Sequence, residues 1–308
     1  MTRRPPVLYP HGNLIREDGA TSIELVRALY DQRPHATLYA PLCKLEEVLG
    51  GCEYLVSTDG QRLSAMVAFT NQTVEFTWSL AGRAETLRNL IAQAQHRTGG
   101  LFFAPALETG RKSWSQMLGL PVLGRFFRTT LRDPQSAPSP KSPREYEFAS
   151  VDPAKDLPEV SRLINEAYPS LQRLTRPERL EAMARRPYYF PEGWFFLRHR
   201  GSGQRIGVAI SGSCPKTGEG FIEWTQVSRP FRHRGLGAAL VHEQVRRLAP
   251  RSRFITAAGS LDAPFVLGDL YRECGFGRTR HWTLLGRNSG TGRRRLALMF
   301  APESVEGP

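Results

Sequence analysis

Apolar positions along this chain recur at helical and strand spacings in a regular alternation. In 156–167, Leu157, Val160, Leu163, Ile164 and Ala167 fall on one helical stripe. A second helix is predicted over 236–248, with Leu240, Val241, Val245 and Leu248 on its buried face. Shorter helices are predicted over 177–185, between two prolines, and near 265–273. Strands are predicted at 146–150, 193–198, 205–211, 220–227, 253–258, 279–285 and 294–300. The first half predicts helices at 22–32, 42–49, 84–95 and 113–118, with strands at 53–58, 62–69, 74–79, 101–106 and 124–131. The order helix, helix, three strands, helix, strand, helix, strand thus occurs twice. This is the pattern of a duplicated α/β (α+β) fold, each half a mixed, mostly antiparallel sheet flanked by helices.

Composition locates the seam. Residues 133–144 read Asp-Pro-Gln-Ser-Ala-Pro-Ser-Pro-Lys-Ser-Pro-Arg, a stretch with nothing to bury and with prolines that hold it extended. The expected organisation is a first domain at 1–132, a linker at 133–144, a second domain at 145–302 and a tail at 303–308. The net charge is +13, from 42 Lys and Arg against 29 Asp and Glu. Residues 1–143 hold 16 cations and 12 anions (+4), and the remainder holds 26 and 17 (+9). Such an excess suits a polyanionic ligand or partner. No apolar run approaches the roughly 18 residues that span a bilayer. Met1-Thr-Arg-Arg-Pro-Pro is followed by no apolar segment, so no secretory signal is expected. Cys43, Cys52, Cys214 and Cys274 have no metal-ligand spacing, and neither do the scattered histidines; reduced thiols, no metal and a cytoplasmic setting are expected.

The chemistry concentrates between Phe221 and Ala239. A strand there runs through a basic, glycine-containing turn into an amphipathic helix. That places Gly235 and Gly237 at a helix N-terminus, where unpaired amides and the macrodipole grip anions. Neither the Gly-x-x-x-x-Gly-Lys phosphate loop nor the Gly-x-Gly-x-x-Gly dinucleotide turn is present. The turn, Arg232-His233-Arg234-Gly235-Leu236-Gly237, resembles the acyl-CoA signature Arg/Gln-x-x-Gly-x-Gly/Ala of the GNAT (Gcn5-related N-acetyltransferase) superfamily. Val227 stands five residues before it, as the family's strand-ending Val does. Downstream, Leu270-Tyr271-Arg272-Glu273-Cys274-Gly275-Phe276 is similar to the family's Leu-Tyr-x-x-x-Gly-Phe. The resemblance covers 144–302 by motif and the first half by element order alone.

The resemblance implies two tandem GNAT-like domains, the second catalytic, an outline similar to that of mycothiol synthase. It implies acetyl-CoA or another acyl-CoA as co-substrate and acyl transfer to an amine of a small molecule. Main-chain groups of Gln226 and Val227 would pair with the pantetheine arm. Amides from Arg232 through His233, Arg234, Gly235, Leu236 and Gly237 to Ala238 would hold the pyrophosphate. Tyr271 would protonate the departing thiolate; a packed helix aromatic is its other reading. Glu223 is the candidate base, placed four residues before Val227 so that strand alternation puts both side chains on one face; a solvated strand carboxylate is its other reading. Pro264 replaces the family's Asn seven residues before the Tyr, so the wall of the CoA site there is rebuilt. The first half has only Ser79-Leu-Ala-Gly-Arg-Ala-Glu85 at its corresponding turn, and Trp114 where the second motif has Tyr; it reads as degenerate. Two further readings stand beside this one: a GNAT-fold transferase whose donor is an acidic acyl carrier protein or an aminoacyl-tRNA, suited by the positive charge, and a non-catalytic binder with a relic CoA pocket. No spacing over 157–191 dictates the acceptor.

Overall fold

The computed structural model describes residues 7–8, 13–16, 19–32, 39–59, 62–70, 74–80, 83–97, 103–107, 114–137, 144–167, 175–262 and 267–286. By contacts these divide into two compact units. One collects the described residues within Met1–Phe127, Ser260–Asp262 and Arg280–Met299, and the other those within Arg128–Gly259 and Ala263–Thr279.

In the first unit the elements are β1 (Val7–Leu8), β2 (Asn13–Arg16), α1 (Gly19–Gln32), α2 (Leu42–Leu49), β3 (Glu53–Asp59), β4 (Arg62–Phe69), β5 (Val74–Ser79), α3 (Ala84–Arg97), β6 (Phe103–Leu107) and α4 (Trp114–Leu118). The short strands β1 and β2 are additional to the elements that periodicity predicts. Strands β1 to β5 form an antiparallel sheet in sequence order. On one face Leu55, Val67, Phe69 and Val74 pack against Leu87, Leu90 and Ile91 of α3. This alternation on β4 against a helical stripe on α3 makes the core.

β7 (Val122–Leu131) begins in the first unit and ends in the second. The second unit continues with β8 (Tyr146–Ser150), α5 (Leu157–Ala167), α6 (Pro177–Ala184), β9 (Tyr189–His199), β10 (Arg205–Cys214), β11 (Glu219–Val227), α7 (Leu236–Leu248), β12 (Phe254–Ser260), α8 (Leu267–Glu273) and β13 (Gly277–Gly286), the last returning to the first unit from Arg280. β8 to β11 pair antiparallel in sequence order, β12 joins β11 in parallel, and β7 lies on the far side of β12. Trp194 and Phe196 of β9 face Val160, Leu163 and Ile164 of α5 and Leu180 and Met183 of α6. Phe195 and Leu197, one residue out of phase, face Leu236 and Leu240 of α7. The stretch expected as linker is packed where it is described: Pro134 is buried and the Gln135 side-chain amide donates to the Ala249 carbonyl. Residues 138–143, the strand expected at 294–300 and Pro264 lie outside the described residues. Among the described residues no helix is long and apolar enough to cross a membrane.

Candidate active site

The site begins where two parallel strands stop pairing. β11 and β12 are in register from Glu219↔Phe254 to Ile222↔Ala257. β11 runs on to Val227 and β12 to Ser260 without further mutual pairs among the described residues. A buried polar network ties the closed end. The Arg128 guanidinium pairs with the Glu219 carboxylate, and Thr256 Oγ1 donates to Glu219 Oε1 at 2.6 Å. Beyond Ile222 the other edge of β11 stays paired, Val208 with Gln226 and Gly207 with Val227. Gly207 is required there, since a Cβ would come within 2.8 Å of the Gln226 carbonyl oxygen. On the β12-facing side, Gln226 and Val227 make no ladder pair with β12 among the described residues.

At the parting point β11 carries a bulge. Ile210 is opposite Trp224 and Ser211 is opposite Ile222, so Glu223 is the extra residue. This corrects the alternation argument for Glu223. Val227 packs with the cluster beneath α7, whereas Glu223 lines a cleft with Met183, Tyr189, Trp194 and Ile210 on the α5–α6 face. Trp224 packs on that face too. The extra residue breaks the period of two, which puts Glu223 and Val227 on opposite faces. The cleft has room for about one water. Tyr188 and Tyr189 are its other ionisable lining groups. Burial, and then the carboxylates of Glu192 and Asp152, push the Tyr189 phenol above its ordinary range.

After Val227 the chain makes a 3-10 turn over Arg229–Phe231 and enters α7 through Gly235, which has φ +75°. His233 also has positive φ, at 60°. From α5, Glu166 accepts bonds from the Ser228 hydroxyl and the Arg229 amide, both at 3.0 Å. The first bonded amide of α7 is Ala239, to the Gly235 carbonyl at 3.1 Å, so Leu236, Gly237 and Ala238 are the leading helix amides. A Cβ at Gly235 would meet nothing within 4 Å. Glycine there answers the left-handed backbone and leaves the approach to those amides open. Two of the expected contributions change. The Arg232 amide donates to the Arg229 carbonyl at 3.3 Å, so it is not one of the leading donors. The guanidinium of Arg232 bonds the Val227 carbonyl at 3.0 Å and that of Arg234 bonds the Pro230 carbonyl at 3.2 Å, so both brace the turn while adding charge to it.

The Leu270–Phe276 motif has a local physical basis. The amide of Phe276 bonds the Tyr271 carbonyl and that of Gly275 bonds the Arg272 carbonyl, both at 3.0 Å, while Gly275 has φ +89°. That is a Schellman cap, completed by the Tyr271 and Phe276 rings, 5.4 Å apart. Tyr271 is 3% exposed and is not part of the cleft lining beside Glu223. α4 ends in the same way: the Leu120 amide bonds the Ser115 carbonyl at 3.2 Å across Gly119, φ +64°. Matching the two caps sets Ser115, and not Trp114, at the position of Tyr271. The first unit's turn also differs: Leu80 to Arg83 connects β5 to α3, and Arg83 pairs with Asp59. Among the described residues no group of three His, Cys, Asp or Glu lies together as metal ligands.

Sequence reasoning named the turn, Tyr271 and Glu223 as candidates. It missed the bulge, the Glu166 bonds and Gln244, a buried side chain on α7 that bonds both strands at the bulge.

No family model and no curated protein matches the chain. Solved structures do. A GCN5-related N-acetyltransferase from Sphaerobacter thermophilus superposes with a TM-score of 0.66 at 17% identity, over 90% of this chain and 96% of that one. An acetyltransferase from the GNAT family from Colwellia psychrerythraea gives a TM-score of 0.58 at 9% identity, over 89% and 99%. A tandem GNAT protein from the clavulanic acid biosynthesis pathway gives 0.56 at 17%, over 88% and 94%. What is shared at these identities is architecture: the chain has the fold of the GNAT N-acetyltransferases.

Proposed function

We propose that the chain is an acyl-CoA-dependent N-acyltransferase, in the first place an N-acetyltransferase, that acylates an amine of a small molecule in its second unit. The observation that carries this reading is that β11 pairs with β12 as far as Ile222 and the same chain segment then runs on through the αL turn at Gly235 into α7. An extended strand and a helix N-terminus thus follow one another along one chain segment. The residues fit an acyl-CoA. The leading amides of α7 and the charge of Arg232 and Arg234 suit a pyrophosphate, and the stretch of β11 beyond its last pair with β12, through Gln226 and Val227, suits an extended amide-bearing arm. When bound, the thioester supplies an activated acyl carbon. The chain's own contribution is placement of two reactants and proton transfer. Glu223 takes the proton released as the amine nitrogen bonds to the acyl carbon, directly or through a water in its cleft. Tyr271 gives a proton to sulfur as the carbon–sulfur bond breaks. The first unit, with Ser115 at the Tyr271 position and a short turn carrying a paired Arg83, is the non-catalytic half.

Two variants test this. Gly235→Glu sets a carboxylate before the leading amides of α7, and CoA binding by calorimetry is expected to weaken about 100-fold or more. Tyr271→Phe keeps the ring that packs on Phe276 and removes only the hydroxyl; kcat is expected to fall about 100-fold with CoA affinity little changed. Unaltered CoA binding by the Gly235→Glu protein would sink the proposal.

A further inference from the structure

We propose that Gln244 is a positioning residue that holds the β11 bulge and so decides the face on which Glu223 stands; this rests on the acyltransferase reading above. Gln244 lies on α7 and is fully buried. Its amide oxygen accepts from Thr225 Oγ1 at 2.7 Å. Its nitrogen donates to Ser211 Oγ at 2.9 Å, to the Trp224 carbonyl at 3.1 Å and to the Ile210 carbonyl at 3.2 Å. All four partners flank the single step at which the β10–β11 register slips.

An extra residue in one strand leaves ladder groups without their usual partners. Burying such groups unbonded is unfavourable, because they give up their bonds to water and gain none. Gln244 supplies bonds to the carbonyls on both sides of the slip, Ile210 on β10 and Trp224 on β11. A leucine of similar size would fill the same space and supply none. Without those bonds the competing arrangement is the regular ladder, in which Glu223 turns to the α7 face with Thr225 and Val227, away from its cleft.

The position along α7 adds a second role. Gln244 lies nine residues after the Gly235 cap, about 13.5 Å along the helix axis at 1.5 Å per residue. One rigid helix thereby carries both the turn proposed to hold the donor's pyrophosphate and the clamp on the bulge, and it fixes their separation.

The test compares wild type, Gln244→Leu, Glu223→Gln and the double variant, with circular dichroism as the check on folding. Two readouts are used: kcat against CoA affinity, and the 13C chemical shift of the Glu223 carboxyl at fixed pH. Gln244→Leu is expected to lower kcat about 10- to 100-fold while CoA affinity stays within about 3-fold. It should move the Glu223 carboxyl resonance, because the carboxyl leaves its cleft, and it should add no further loss to Glu223→Gln. A folded Gln244→Leu in which that resonance does not move overturns the proposal, as does full multiplication of the two losses. If Gln244→Leu does not fold, Thr225→Val, which removes one of the bonds, is judged by the same cycle. The resonance needs no turnover. A wild type that moves no acyl group from CoA therefore defeats the acyltransferase reading, while an unmoved resonance defeats the role of Gln244.

Discussion

Burial, and then the Glu273 carboxylate, pushes the Cys274 thiol up to about 11. Beside the capped end of α8 it is therefore a packing group and not a nucleophile near neutrality. The folded value lies above the ordinary 9.0, so the stability gained from the neutral thiol is complete below about pH 9 and is lost as pH rises towards 11. Cys43 is half-buried, while Cys52, Cys214 and Cys274 are buried. Iodoacetamide at pH 8 is expected to modify Cys43 first, with Cys274 reacting only in denaturant; peptide mass spectrometry reads the order. Equal labelling of Cys43 and Cys274 in the folded protein would contradict this assignment.

Helix ends carry much of the specification at the level of elements. In α8 the cap requires a left-handed residue, and Gly275 supplies it at φ +89°, the nearest contact for an added Cβ being Leu131 at 3.7 Å. Gly275→Ala should therefore cost about 1–2 kcal/mol through backbone strain alone. Chemical denaturation should show a lowered midpoint at unchanged slope. The two caps were not read from the sequence: Gly275-Phe276 stood there only as part of a motif, and its role as a helix stop shows in the bonds of its amides. The start of α7 was legible, since its apolar stripe and the preceding Gly235 mark it. The bulge at Glu223 was not legible, since Phe-Ile-Glu-Trp-Thr reads as a regular strand and an inserted residue shows only against its partner. Gln244 was hidden for the same reason. A polar residue on a helix reads as solvent-facing until the strand it serves is known.

In the whole molecule, the pairs that matter join distant parts of the sequence. Arg128 on β7 and Glu219 on β11 are both buried and tie together segments 91 residues apart. Removing one partner leaves the other charge buried, so Arg128→Ala is expected to cost about 3–5 kcal/mol, while joint replacement by Arg128→Met and Glu219→Met should recover most of it. Thermal melts of the two variants decide this. The positive charge is similarly local in effect, with Arg246 and Arg247 both on Glu243 and Arg198 and Arg200 both on Glu147. The division of strands was beyond sequence reading, because a Pro- and Ser-rich segment suggests a clean cut while tertiary pairing ignores it. β6 pairs antiparallel with β13, Leu107 opposite Trp282. During synthesis the edge of β6 must therefore wait for most of the remaining chain to leave the ribosome before it finds its neighbour. An edge held open that long needs protection from other nascent chains.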